Sequence, residues 1–153
     1  IRRGADARNL AIALNDLTAA EMLSGQGDAV RHAAEGLALW RALDDRFATF
    51  QAMLTHGRAL QLAGRHDEAI PVFEAGYAEA REFGESAGIS LALYGLGLCA
   101  LTSGDLDAAR DRLSESLRIS HESGSNWHVA ERLEALAARG LVRMARGPVA
   151  VVQ

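Results

Sequence analysis

The sequence predicts an all-α fold built as a tandem array of antiparallel helix pairs. Three observations predict it: a repeat of about forty residues, apolar spacings of three and four residues within each repeat, and glycine-containing joints at regular intervals. A fixed period of this size is typical of repeat architectures, in which each unit buries its apolar face against its neighbours. We therefore expect about seven helices, or three and a half repeats, in a single domain over residues 1–153.

The repeat becomes visible when the sequence is aligned with itself after a shift of forty residues. One column is alanine in all three copies, another mixes small and bulky apolar residues, and a third holds small residues. These columns are Ala29, Ala69 and Ala109; Ala33, Phe73 and Leu113; and Gly36, Gly76 and Ser116. Gly57 also aligns with Gly97. The units are expected at about 5–45, 46–85 and 86–125, with a partial copy at 126–153.

Each unit is predicted to contain a first and a second helix. Residues four apart, such as Ala69, Phe73 and Tyr77, share one helix face. The first helix should end at SGQGD, AGRHD or SGDLD, because glycine adopts the left-handed geometry of a helix end and aspartate favours the start of the next helix. DDR, FGES and SGSN should separate successive units.

The joint in the second unit, LAGRHDEAIPVF, contains three adjacent reactive side chains, His66, Asp67 and Glu68. Metal ligands on one helix need a spacing of three or four residues to converge, whereas adjacent residues point about 100° apart. We interpret the stretch as a helix start, with Asp67 near the cap, Glu68 in the first turn and Pro71 limiting how early the helix can begin. An enzyme or metal site at these residues remains the less favoured alternative.

The composition is that of a soluble protein without a specialised surface. The chain is 49% hydrophobic and 24% charged with a net charge of −4, which gives no general attraction to nucleic acid. We expect no membrane-spanning segment and no export signal. The lone Cys99 excludes an internal disulfide and fits a reducing cytoplasm. His121 and His128 could approach one another, but no further ligand completes a metal site, and we expect no cofactor.

The columns resemble the tetratricopeptide repeat (TPR) family over nearly the whole chain. The small residue that the family carries in its first helix matches Gly57 and Gly97, and its alanine near the start of the second helix matches Ala69 and Ala109. The resemblance implies a right-handed superhelix and a scaffold that binds proteins or peptides. The period of about forty, rather than 34, departs from the family, as does the lack of the usual tryptophan early in the first helix.

The long unit is similar to the C-terminal helical-repeat domains of bacterial transcription activators of the MalT and LuxR kinds and of related signalling ATPases. That likeness implies a sensing or interaction domain of a cytoplasmic regulator, for a protein, a peptide or a small effector. No phosphate-binding loop occurs in the sequence. Because the chain opens with Ile1 and ends in RGPVAVVQ, we expect it to be a fragment of a larger protein.

By family resemblance, the first helix of each unit lines a concave groove. Unit three is unusual because both faces of its first helix are apolar, so its groove residues could equally be ordinary core. The predicted binding residues are Gln51, Leu54, Arg58, Gln61, Leu91, Tyr94, Leu98, Leu101, Glu131 and Glu134. An alternative is a free-standing adaptor that self-associates or meets another domain through its apolar C-terminal helix, which contains Leu133, Leu136 and Leu141. Neither the binding scaffold nor the self-associating adaptor would be catalytic, and neither would bind nucleic acid or membrane directly.

Overall fold

A computed structural model of the chain describes residues 2–124 as a series of α-helices without strands in that range. The helices are α1 (Arg2–Ser24), α2 (Ala29–Ala42), α3 (Arg46–Leu62), α4 (His66–Phe83), α5 (Ser86–Ser103) and α6 (Leu106–Glu122). The predicted all-α helical repeat is confirmed. Six helices lie within residues 2–124, and the expected seventh falls at residues 126–153, outside the described residues.

Consecutive helices pack against each other along the described chain, from α1 against α2 to α5 against α6. The first helices of successive pairs also contact one another, α1 with α3 and α3 with α5. Side-by-side stacking of equivalent helices is the arrangement expected when each unit covers the apolar face of its neighbour. It brings equivalent positions of α3 and α5 onto one surface.

The helix joints follow the chemistry predicted for them. Gly64 and Gly104 end α3 and α5 with φ of 76° and 82°, in the left-handed region. Four helices begin with a carboxylate that accepts a hydrogen bond from a backbone N–H of the first turn, namely Asp28, Asp45, Glu85 and Asp105.

Helix α4 begins differently. Its N-cap is Arg65, whose side chain makes no capping hydrogen bond; Asp67 and Glu68 lie in the first turn instead. There their negative charges interact favourably with the positive end of the helix dipole, as predicted. Pro71 is the sixth residue of α4. It therefore lies in the second turn of the helix, beyond the first turn in which proline is best tolerated.

The largest core cluster is centred on Phe73, which lies between α3 and α5. A Cβ built on Gly57 would lie 3.0 Å from the Phe73 ring, and one on Gly95 would lie 2.3 Å from it. Gly97 and Leu113 repeat the first of these contacts one unit later, since a Cβ there would lie 2.7 Å from Leu113 Cγ. The glycine columns therefore make room for the bulky residue of the second helix.

Unit three replaces one aromatic contact by a buried hydrogen-bond network. Ser90 occupies the column of Phe50, and Ser116 and Ser120 occupy those of Gly76 and Ala80. The Ser90 hydroxyl lies 3.1 Å from that of Ser116 and 2.6 Å from that of Ser120, and Ser116 Oγ donates to the Ser90 carbonyl at 2.7 Å. All three serines are buried. Three serines that hydrogen-bond to one another thus stand in the columns of Phe50, Gly76 and Ala80.

Helix α1 packs in a different register from α3 and α5. Ala11, Leu14 and Thr18 are buried, while Leu10 and Leu17 are 53% and 43% exposed. In the forty-residue alignment, Leu10 and Leu17 correspond to the buried residues Phe50 and Gly57. A bulky Leu17 cannot take the place of a glycine at the contact between the helices. Helix α1 therefore packs on α2 with the adjacent face, which carries Ala11, Leu14 and Thr18.

Helix α5 is the one described helix that is long and apolar enough to cross a membrane, by length and composition alone. This corrects the expectation that no segment reaches that length. More than half of the helix, 56%, is buried within the fold, where it packs against α4 and α6. Its apolar composition is accounted for by this central position in the core.

Candidate functional site

The side-by-side first helices α3 and α5 carry the predicted binding residues. On α3, Gln51 is exposed and Arg58 is half-buried; these two residues are seven apart and so share one face of the helix. Arg58 makes no hydrogen bond or ion pair with any residue of the described range 2–124. Its guanidinium is therefore available for a carboxylate outside that range.

On α5, Leu91, Tyr94 and Leu98 are all half-buried. Leu91 packs at the edge of the cluster around Phe73, and Tyr94 and Leu98 pack against the cluster formed by Leu101 and Leu113 with two alanines. Each side chain thus has one side in the core and one side at the surface. The two interpretations left open by the sequence, core and groove, both apply to these three residues.

Three predicted groove residues point into the fold. Leu54 is 3% exposed and contacts α4 at Gly76. Gln61 is 9% exposed, and its Nε2 donates to the Gly95 carbonyl at 3.3 Å, which ties α3 to α5. Leu101 is 9% exposed within the α5–α6 cluster. Each of the three holds neighbouring helices together instead of facing the groove.

The surface contains one residue that the sequence analysis did not select. Thr55 is half-buried beside Gln51 and Arg58. It directly follows Leu54, which was selected. We define the α3–α5 surface as Gln51, Thr55 and Arg58 with Leu91, Tyr94 and Leu98.

The alternative reactive groups are not assembled into a site in the described residues. Glu68 is held by Arg65, whose Nε and terminal nitrogen lie 2.8 and 2.6 Å from its carboxylate oxygens, and this pairing lowers the pKa of Glu68. Asp67 is exposed and His66 is half-buried. Over residues 2–124, no group of three or more His, Cys, Asp or Glu is placed to hold a metal ion. Burial raises the pKa of the Cys99 thiol, which disfavours the reactive thiolate.

Several predicted residues lie outside the described residues. They are Glu131 and Glu134 of the groove, His128 of the histidine pair, and Leu133, Leu136 and Leu141 of the C-terminal helix. His121 is exposed near the end of α6. The predicted self-association through the C-terminal helix stays a prediction.

Comparison with known proteins agrees with the packing described above. The model of a tetratricopeptide repeat family matches residues 48–122, which span all but the first two residues of α3 and the whole of α4, α5 and α6. No curated protein matches the chain closely enough to count as a relative. Repeats of this family typically serve as non-enzymatic scaffolds that bind protein or peptide partners. The match and the paired helices together support assigning this segment of the chain to a tetratricopeptide repeat family.

Proposed function

We propose that the chain is a non-catalytic scaffold that binds a protein or peptide through the α3–α5 surface. The observation that carries the proposal is the combination of half-buried apolar residues on α5, Leu91, Tyr94 and Leu98, with Arg58 on α3, which has no ion-pair partner among residues 2–124. Apolar anchors next to an available guanidinium suit a segment that carries apolar side chains and one carboxylate. The long repeat, similar to those of MalT- and LuxR-type activators, supports a role as the sensing or interaction domain of a cytoplasmic bacterial regulator.

The proposal is tested by selecting phage-displayed random peptides on the purified chain and measuring their affinity by fluorescence anisotropy. Tyr94→Gln, Leu98→Gln and Arg58→Ala should each weaken the selected peptides by about tenfold, because anchors at an interface each contribute about 1 kcal/mol or more. The helical circular dichroism signal should persist in all three variants, because these residues are only half-buried.

Matched control variants separate binding from a general effect of the substitutions. Leu106→Gln changes a leucine that is 38% exposed on α6, and Arg41→Ala changes an exposed arginine on α2. Both should leave the affinity unchanged. Equal affinity of the selected peptides for Arg58→Ala, Leu98→Gln and the wild type would rule out this surface as the binding site.

A further inference from the structure

The two most exposed large apolar side chains among residues 2–124 lie where two neighbouring first helices end. Leu23 is 91% exposed near the end of α1, and Leu62 is 59% exposed at the end of α3. Helices α1 and α3 contact each other, so both leucines lie at the same end of the stack. A single exposed leucine needs no explanation, whereas two of them beside an apolar cavity indicate a contact surface.

Such a cavity, of about 270 Å³, lies between the end of α1, the start of α2 and the end of α3. Most of its lining is apolar, from Met22, Val30, Ala59, Leu62 and Ala63. The joint between α1 and α2 adds two glycines, which contribute no side chain. The volume lies just below the range of about 300 to 1,000 Å³ that is typical of small-molecule sites, so the cavity suits one large apolar side chain.

The two charged residues of the lining, Glu21 and Asp28, are both engaged within the chain. Glu21 accepts a hydrogen bond from the Asp28 backbone N–H at 3.1 Å and lies 2.8 Å from His32 Nδ1. The Asp28 carboxylate accepts from Arg31 Nε at 3.1 Å. Residues 24–27, which connect Leu23 to Asp28, carry no charge. The surface therefore offers no free charge to a charged partner, and it is free of the like-charge contacts that oppose self-association.

The fold itself does not require a leucine at either position. The column of Leu23 holds Ala63 and Ser103 in the next two units, and the column of Leu62 holds Thr102. All of these residues are exposed, so the stacking of the repeats does not depend on them. Large apolar side chains are thus concentrated at the joint of the first unit, where they have no function in the packing of the chain.

We propose that this end of the fold binds a second copy of the chain, with Leu23 of each copy inserted into the cavity of the other. Leu23 directly follows Met22, which lines the cavity, but adjacent residues of a helix point about 100° apart and Leu23 does not line it. A leucine and a cavity side by side are self-complementary, because one two-fold axis between them satisfies both. A partner of another kind would fill the cavity and leave Leu23 exposed, whereas a second copy covers both.

The dimer should be weak. One leucine and one cavity from each copy form a contact smaller than the roughly 1,600 Å² of a standard interface, so we expect a dissociation constant on the order of 100 µM. No residue of the α3–α5 surface lines the cavity. Self-association and the proposed peptide binding are therefore tested separately.

The first test is sedimentation equilibrium of the purified chain between about 10 µM and 1 mM, a range that brackets the expected dissociation constant. Leu23→Gln removes the inserted side chain, and Ala63→Glu places a carboxylate in the cavity wall; each should raise the dissociation constant at least about tenfold. Both residues are exposed, so the helical circular dichroism signal should persist. Leu10→Gln is the matched control, because Leu10 is 53% exposed on the same helix but about 20 Å away, and it should associate like the wild type.

Mixing the two variants tests whether Leu23 enters the cavity of the other copy. Unlabelled Ala63→Glu, which keeps Leu23, should shift the backbone amide resonances of Gly25 and Gly27 in ¹⁵N-labelled Leu23→Gln, which keeps the cavity. Unlabelled Leu23→Gln should leave them unchanged. A wild type that stays monomeric up to about 1 mM would overturn the proposal. So would wild-type association of Leu23→Gln, which would place the contact elsewhere on the chain, or glycine shifts that do not depend on which variant is added.

Discussion

Asp44 shows how a single residue can depart from the repeat without changing the fold. It lies in the turn between α2 and α3 with φ of 54°, in the left-handed region, where Gly84 and Gly124 lie forty and eighty residues later. A side chain makes this conformation unfavourable, although aspartate tolerates it better than most residues. Asp44→Gly should therefore raise the free energy of unfolding by up to about 1 kcal/mol, measured by urea denaturation.

The reciprocal variant Gly84→Asp serves as the control, because it introduces the same strain one unit later. It should lower the free energy of unfolding by a similar amount. A loss of stability in Asp44→Gly would contradict the account, since it would mean that the Asp44 side chain contributes more to the turn than its backbone strain costs.

Among the helices, the contact between α4 and α5 has the least spare room. A Cβ on Gly95 would lie 2.3 Å from Phe73 Cζ, and Phe73 is fully buried, so the ring has no open space to move into. Gly95→Ala should lower the free energy of unfolding by about 1–3 kcal/mol, as overpacked cores do. Chemical denaturation followed by circular dichroism measures the change.

Gly4→Ala is the matched control, because Gly4 lies within α1 and nothing lies within 4 Å of its added Cβ. This variant should gain about 0.5–1 kcal/mol from helix propensity. Phe73→Leu, which follows the Gly97–Leu113 pair of the next unit, should recover part of the loss in the Gly95→Ala background. A neutral effect of Gly95→Ala would show that the close contact does not limit the packing of α4 on α5.

The helices themselves were predictable from the sequence because their ends depend on local chemistry. Glycines and carboxylates at the joints predicted where the helices begin and end, and the glycine columns predicted which faces meet. Helix rotation depends instead on contacts far along the chain. Leu54 is buried and Thr55 is half-buried because α3 packs on α4 and α5 together, and a rotation of one residue would exchange their environments.

Across the whole molecule, equivalent positions are reused for different purposes, and the forty-residue alignment alone does not reveal this. The network of Ser90, Ser116 and Ser120 stands where the preceding unit has Phe50, Gly76 and Ala80, and each serine taken singly gives no sign of its partners. His56 likewise gives no signal in the sequence, yet in the fold its Nδ1 is enclosed without a hydrogen-bond partner among residues 2–124. The sequence predicted the helix pair and every surface residue except Thr55, but it could not separate them from Leu54, Gln61 and Leu101, which are buried.

The central claim, that a partner binds where the first helices α3 and α5 lie side by side, is tested most directly by hydrogen–deuterium exchange. Exchange of the described helices is compared with and without a selected peptide at saturating concentration. The account predicts added protection in α3 and α5, around residues 51–62 and 91–101, and unchanged exchange in α2 and α6. Protection confined to α2 and α4, or none in α3 and α5, would contradict it.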